Sequence, residues 1–181
     1  SFVWLRHCKR RCHGQQGEVH LQRNAPKLSG QEPWYIRRQL ENFQHRIRGA
    51  TPQDQFGMQM APMSQTVVDP TALANVVAHI ATLPDKPAQA TVAGDIEHGR
   101  RLFETCQICH GANGHGSWGT NAPRLAGMSD WYLQRQLVNF KSRVRGGHPE
   151  DVYGDQMSMM ANVLIEPGAI EDVVAYINTL R

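Results

Sequence analysis

The sequence predicts an all-α protein that consists of two tandem domains. Apolar residues recur at helical spacing, and no segment alternates between apolar and polar residues over enough positions to indicate a strand. The chain also repeats itself, because residues 25–83 match residues 122–180 without gaps at 28 of 59 positions. Unrelated segments would share only a few identities, so the two halves are homologous.

Length and composition agree with this prediction. A chain of 181 residues can form one medium domain or two small ones, and 40% hydrophobic with 19% charged residues is typical of globular proteins. The net charge of +3 is too small to indicate nucleic-acid binding. No apolar run approaches the roughly 18 residues of a membrane helix. We therefore expect no nucleic-acid partner and no membrane span in this chain, and membrane association stays open.

Capping residues predict where the helices begin and end. Pro33 is expected to open a helix that continues to Arg48 and stops at Gly49, and Asp130 is expected to be the N-cap of its second copy. The other helices predicted from periodicity are residues 69–83, 96–107 and 166–180.

The linker between the repeats contains two prolines, Pro84 and Pro87, among small polar residues. We divide the chain there into an N-terminal domain, residues 1–84, and a C-terminal domain, residues 85–181. Domains of this size bury a limited apolar area, so each is expected to need a further source of stability.

The C-terminal domain contains the motif Cys106-Gln-Ile-Cys109-His110, which is typical of covalent c-type haem attachment. Two thiols add across the two vinyl groups of one haem, so both sulfurs must lie on one short turn. The next residue then places an imidazole below the iron. The alternatives are weaker, because a zinc site needs four ligands, a thioredoxin motif accompanies a βαβ pattern, and a disulfide across this spacing is strained.

The N-terminal copy departs from this motif, since three residues separate Cys8 from Cys12, which His13 follows. One extra residue within the loop would let the apolar pair Trp4-Leu5 match Leu102-Phe103. That register favours a haem bound through both sulfurs, while attachment through Cys12 alone and a sequence error remain alternatives. We expect two covalently bound haem c groups in total.

A six-coordinate iron needs a second axial ligand, and methionine is usual in electron-transfer cytochromes. Met60 and Met157 occupy matched positions, and each follows Gly-x-Gln in a predicted loop that could aim its sulfur at iron. We expect these two to be the ligands. Met63 and Met160 are the matched alternative, and the other methionines are expected to fill space around an apolar ring.

Other repeated residues are expected to support the site. Pro26 and Pro123 follow the attachment histidines in both halves, and the carbonyl before each proline is expected to accept the ring N–H. Two arginine pairs either meet haem propionates or lie solvated at a helix end: Arg46/Arg48 and Arg143/Arg145.

With these motifs the sequence resembles the di-haem class I cytochromes c of the cytochrome c4 type, over almost the whole chain. The resemblance rests on Cys12-His13-Gly14, on Cys109-His110-Gly111, and on repeated Ala-Pro-x-Leu-x-Gly, Trp-Tyr-x-x-x-Gln-Leu and Met-x-x-Met segments. It implies two tandem cytochrome c folds, in which His13 with Met60 and His110 with Met157 bind the irons. It also implies a periplasmic protein that carries electrons from a respiratory donor towards a terminal oxidase.

Charge divides unevenly between the domains. Residues 1–84 contain ten basic and five acidic residues, net +5, and residues 85–181 contain nine and eleven, net −2. Such asymmetry can orient a carrier on its redox partners. In this interpretation the protein is not an enzyme. The alternatives are an electron-transfer subunit of a dehydrogenase or oxidase, a di-haem peroxidase, which the repeated methionines disfavour, and a zinc-stabilised interaction module.

Overall fold

A computed structural model of the chain describes residues 13–14 and 16–180. Within these residues the secondary structure is helical, and β pairing is limited to two isolated bridges, His20 with Ala25 and Ser117 with Ala122. The predicted all-α class is confirmed. The chain divides into two compact units, Ser1–Lys86 and Pro87–Arg181, and each is described by itself.

The described part of the first unit contains three α-helices: α1 (Pro33–Gln44), α2 (Gln55–Ser64) and α3 (Pro70–Ala81). Short 3-10 turns occupy Leu21–Arg23 and Gln65–Val67. Apolar side chains of α1 and α3 form the core together with the second 3-10 turn. The buried members of that core are Ile36, Leu40, Val67, Leu73, Val76, Val77 and Ile80.

The second unit contains four described helices: α4 (Ile96–His110), α5 (Asp130–Lys141), α6 (Val152–Ala161) and α7 (Ala169–Ile177). Helices α4 and α7 pack closely, because a Cβ added to Gly99 would lie 1.9 Å from the Asp172 carbonyl oxygen. Phe103 and Tyr176 contact each other beside this crossing, with ring centroids 5.3 Å apart. The crossing fixes α4, which carries the attachment motif at its C-terminal end.

Two sequence-based helix boundaries were wrong for a local physical reason. Helix α1 ends at Gln44 rather than Arg48, because Arg46 adopts a left-handed φ of 60° and the Arg48 N–H donates to the Asn42 carbonyl. Asp130 is the first residue of α5 and not its N-cap, a position that Ser129 takes. Pro33 does open α1 as predicted.

The other helices differ from prediction by a few residues at their ends. Helix α4 continues to His110 instead of stopping at Gln107, so Cys109 and His110 lie in the helix together with Cys106. Helix α3 ends at Ala81, and α7 spans Ala169–Ile177 within the predicted 166–180. Frayed ends of this kind are the least predictable part of a helix.

The methionine segments are helices, whereas the sequence predicted loops. Asp54 and Asp151 cap α2 and α6, since each carboxylate accepts the N–H of the glycine three residues later, Gly57 or Gly154. A buried Asp N-cap therefore starts a helix at the place where the sequence predicted a loop. Met60 and Met157 are thus held in a helical register rather than on a loop.

Polar contacts hold the linker in place on both sides of the unit boundary. In the first unit, buried Lys27 pairs with Asp85, with Nζ and Oδ1 2.6 Å apart. In the second, the Ala88 N–H donates to the Gly127 carbonyl. Among the described helices, none combines the length and apolarity that crossing a bilayer would need.

Candidate functional site

The last turn of α4 brings the three attachment residues of the second unit together. Cys106 is half-buried, Cys109 is exposed and the His110 ring is buried with 6% exposure. Residues three and four apart share a helix face, so Cys106 lies beside Cys109 and His110. Gly111 follows with a positive φ of 79°, a backbone angle that favours glycine, and the helix ends directly after the histidine. Two thiols and one imidazole therefore lie at one helix end.

The His110 ring is held in one tautomer. Its Nδ1 lies 2.7 Å from the Pro123 carbonyl oxygen, and since a carbonyl only accepts, Nδ1 carries the hydrogen. Nε2 is then the nitrogen with a free lone pair, as a metal ligand requires. Burial lowers the pKa of His110, which the hydrogen bond to Pro123 only partly opposes. The ring is therefore neutral at pH 7, the state that can bind iron.

His13 repeats this arrangement in the first unit. Its ring is 6% exposed, and Nδ1 lies 2.9 Å from the Pro26 carbonyl oxygen. Burial lowers the pKa of His13 as well, against the opposing hydrogen bond to Pro26. The expected acceptor needs correction in both units, because the carbonyl is that of the proline itself rather than that of the residue before it.

The loop between each histidine and its proline is built in the same way in both units. The Leu28 N–H donates to the Gly17 carbonyl and the Leu125 N–H donates to the Gly114 carbonyl, each at 2.8 Å. These bonds fold the chain back towards the histidine. Backbone hydrogen bonds, and not side-chain packing alone, therefore fix the position of the proline carbonyl.

Four residues of the predicted first attachment site lie among residues that the structure does not describe: Trp4, Leu5, Cys8 and Cys12. Attachment of a haem through Cys8 and Cys12 stays a prediction.

The thiol of Cys106 lacks the character of a reactive thiolate. Burial raises the pKa of Cys106 to about 11, so it is a neutral thiol at pH 7. Redox-active cysteines have lowered pKa values instead. Across the described part of the chain, no group of three or more His, Cys, Asp or Glu is arranged to hold a metal ion. The raised pKa of Cys106 disfavours a redox-active motif of the thioredoxin type.

The helix register of α6 separates the two candidate methionines of the second unit. Gly154, Ser158 and Ala161 form its buried face, and half-buried Met157 adjoins that face. Met160 is 39% exposed. In the first unit, both candidates are partly buried and pack against the core. The choice of Met60 and Met157 as ligands stays a prediction, with a stronger structural basis in the second unit.

The repeated arginines separate into two environments. Arg145 is buried, its Nη1 donates to Gln136 Oε1 at 2.8 Å, and its guanidinium lies 4.5 Å from the Phe140 ring centre. Arg48 is buried in the same way in the first unit. The interpretation that these arginines lie solvated at a helix end is therefore wrong for Arg48 and Arg145. It fits Arg143, whose exposed side chain pairs with Asp155 at 2.5 Å.

Trp131 supplies a donor that sequence reasoning missed. Its indole Nε1 is buried on α5 and finds no hydrogen-bond partner among the described residues. Leaving such a donor unsatisfied costs about 1–3 kcal/mol, so an acceptor is expected there. Its repetition as Trp34 was the signal available in the sequence.

The residues present fit a haem in each unit. The buried guanidinium of Arg145 and the buried indole N–H of Trp131 are suited to carboxylates such as propionates. The neutral, oriented imidazole of His110 suits iron, and the adjacent thiols of Cys106 and Cys109 suit the vinyl groups. In the first unit, His13 and Arg48 take the same positions.

Comparison with known proteins agrees with this geometry. The cytochrome c family model matches residues 3–84 and again residues 96–181. A cytochrome c4 of Thiocapsa roseopersicina is 32% identical over 151 residues, which cover 76% of this chain and 71% of that protein.

Solved structures resemble this chain over most of its length, and two of them illustrate the match. A cytochrome c4 structure from Acidithiobacillus ferrooxidans superimposes with a TM-score of 0.73 at 27% identity, covering 94% of this chain and 97% of that one. A thiosulfate dehydrogenase from Marichromatium purpuratum superimposes with a TM-score of 0.74 at 29% identity. The match covers 94% of this chain but only 36% of the dehydrogenase chain. The predicted tandem pair of cytochrome c folds is confirmed.

Proposed function

Because the chain belongs to the cytochrome c family, as a di-haem electron-transfer protein of the cytochrome c4 type, we propose that it shuttles electrons in the periplasm from a respiratory donor to a terminal oxidase or another acceptor. Each domain, residues 1–84 and residues 85–181, holds one haem in this proposal. The protein makes and breaks no substrate bonds.

The observation that carries this proposal is the matched pair of buried, neutral imidazoles. His13 and His110 each direct Nδ1–H to a proline carbonyl, which fixes the ring and leaves Nε2 for iron. Haem iron, when bound, supplies the change between ferric and ferrous states. Met60 and Met157 would supply the second protein ligand to each iron, so that neither site would need to open during electron transfer. A fixed set of protein ligands suits an electron carrier better than a peroxidase, which needs an exchangeable position on iron.

We expect two covalently bound haems per chain. The intact mass of the purified, acid-denatured protein should exceed the 20.4 kDa polypeptide by two haem masses. The Cys106→Ala/Cys109→Ala double variant is the control, and it should retain one haem. A wild-type chain that holds a single haem would contradict the proposal for the first domain.

We also expect Cys8 to form a thioether despite the wider spacing of its motif. Each saturated vinyl group moves the α band of the reduced pyridine complex to shorter wavelength. Two thioethers on both haems should therefore give one band at the position for two saturated vinyls. A shifted or composite band, or a Cys8 thiol open to alkylation, would show that the first haem is attached through Cys12 alone.

The first domain is proposed to meet an acidic partner, because it carries the net positive charge. Its association rate should fall by about tenfold or more as salt rises, since electrostatic steering raises on-rates by roughly 10 to 10³. At physiological ionic strength, charges that lie more than about 8 Å apart are largely screened from each other. Stopped-flow mixing with the purified acceptor at several salt concentrations measures this, and a salt-independent rate would be inconsistent with it.

Two matched variants sharpen this measurement. Arg46 is exposed, whereas its counterpart Arg143 pairs with Asp155. Arg46→Gln should reduce both the rate and its salt dependence. Arg143→Gln should change them less, because part of its charge is already compensated.

A second candidate function is an electron-accepting part of a dehydrogenase. The similarity to part of a thiosulfate dehydrogenase chain favours it. Purification from the native host decides between the two proposals. A shuttle is recovered alone and reduces an added oxidase, whereas a dehydrogenase component is recovered with a catalytic partner that reduces it when substrate is added.

A further inference from the structure

A buried cation lies on the loop behind the histidine of the first unit. The Lys27 side chain is 2% exposed, and its Nζ lies 2.6 Å from Oδ1 of Asp85, a linker residue 58 positions later in the chain. Lysine is almost never fully buried unless its charge is paired. Solvent and salt screen a buried charge much less than an exposed one. Lys27 therefore keeps an effective positive charge inside the first unit, and Asp85 is its counter-charge.

The backbone of Lys27 is part of the support of His13. The Pro26 carbonyl oxygen, which lies 2.9 Å from His13 Nδ1, belongs to the peptide group that joins Pro26 to Lys27. This group is planar, so its carbonyl and the backbone of Lys27 move together. The residue that carries the buried charge is thus also the residue whose peptide group orients the imidazole.

The Asp85 carboxylate is seated against the same loop. A Cβ added to Gly30 would lie 2.3 Å from Asp85 Oδ1, so a side chain at this position would displace the carboxylate. In the second unit, a Cβ added to the equivalent Gly127 would first meet atoms of Arg124 and Pro87. The linker therefore brings a carboxylate to this loop in the first unit and a proline in the second.

Charges at this place act directly on iron that His13 binds. Ferric iron carries one more positive charge than ferrous iron, so a nearby cation disfavours the ferric state and a nearby anion favours it. Lys27 should therefore raise the reduction potential, and Asp85 should lower it. Because the two charges are paired, each one offsets most of the effect of the other.

We propose that Lys27 and Asp85 set the reduction potential of the first haem, with the buried lysine raising it and the linker carboxylate holding it down. The inference rests on the proposed electron-transfer function, because it requires iron on His13. Both are positioning residues that act through the loop behind His13. The linker is then part of the redox site of the first unit as well as a connection between the domains.

A potentiometric titration of the full holoprotein, followed by visible absorbance, tests this proposal. Lys27→Gln should lower the potential of the first haem, and Asp85→Asn should raise it. Each change should shift the ratio of ferrous to ferric iron at a fixed potential by about threefold to tenfold, where tenfold corresponds to about 59 mV for one electron. The Cys106→Ala/Cys109→Ala variant, which keeps the first haem, identifies the redox step that belongs to it.

The double variant Lys27→Gln/Asp85→Asn separates charge from packing. It removes both charges, so the potential of the first haem should return to within about twofold of the wild-type ratio. A shift in the same direction in both single variants would show that altered packing moves the potential, and would overturn the proposal. A double variant shifted as far as Asp85→Asn alone would also overturn it.

Lys86→Gln is the matched control, because it removes the same charge as Lys27→Gln from an exposed position next to Asp85. Solvent screens that charge, so both redox steps should stay within about twofold of the wild-type ratio. If Lys86→Gln lowers the potential as much as Lys27→Gln does, the burial of Lys27 is irrelevant and the proposal fails.

The number of redox steps separates this inference from the proposed function. A wild-type protein with a single one-electron step would mean that His13 binds no haem iron, and the proposed function would fail for the first domain. Two steps, of which neither responds to Lys27→Gln or Asp85→Asn, would overturn this inference alone.

Discussion

Replacing Met157 with Ala is expected to remove the weak sulfur-to-iron absorption band of the second haem at the red end of the ferric spectrum. The reduction potential of that haem should also fall, because a soft thioether stabilises ferrous iron and Ala supplies no ligand. Visible spectroscopy of the oxidised protein and a potentiometric titration measure both effects. The first haem should keep its share of the band.

The helix register supplies the control for this prediction. Met157 adjoins the buried face of α6, whereas Met160 is 39% exposed. Met160→Ala should therefore leave band and potential nearly unchanged. If Met160→Ala removes the band and Met157→Ala does not, the assigned register is wrong. The matched pair Met60→Ala and Met63→Ala tests the first domain in the same way.

Much of the fold and site was predictable because the relevant signals are local or duplicated. The attachment motif around His110 needs residues that are adjacent in the chain, and Pro123 recurs at the same distance as Pro26 does from His13. Because the motif and the proline occur in both repeats, each match between the two copies can be recognised in the sequence. The helical periodicity of α3 and α7 reflects burial of one face, which a sequence displays directly.

What escaped prediction depends on conformations and distant partners that one-dimensional patterns do not contain. Arg46 and Arg143 adopt a positive φ, which sequence reasoning assigns to glycine. The predicted end of α1 was therefore too late, because Arg46 had been placed inside the helix. The burial of Arg145 depends on Gln136 and Phe140 on a preceding helix. Asp130 was taken for a helix cap, because its true partners lie 38 to 48 residues away.

Those partners make Asp130 the centre of a buried hydrogen-bond network. Its carboxylate accepts from the Val92 N–H at 2.7 Å, from Thr91 Oγ1 at 2.8 Å and from Asn178 Nδ2 at 3.1 Å. It thereby joins the linker, the start of α5 and the segment after α7. The equivalent position of the first unit is Pro33, which has no such group. Asp130 therefore stabilises the second unit, and the first repeat has no equivalent carboxylate at this position.

Asp130→Asn is expected to destabilise the second unit by about 3 kcal/mol. The Asn side chain has only one acceptor oxygen, and its NH2 group would face backbone N–H groups that need an acceptor. Guanidinium unfolding monitored by haem absorbance measures this. Asp69→Asn, which alters an exposed cap bonded to Ala72, is the control and should cost about 1 kcal/mol or less.

The same network makes the stability of the second unit depend on pH. Burial raises the pKa of Asp130, but hydrogen bonds from Thr91, Val92 and Asn178 outweigh burial and hold the pKa below its ordinary 3.8. A carboxylate whose folded pKa is depressed stabilises fully above its unfolded pKa, and that stability is lost as the pH falls through the folded value. Wild-type stability should therefore drop below about pH 4, while the drop in Asp130→Asn should be shallower. Parallel acid-unfolding curves for the two proteins would contradict this assignment.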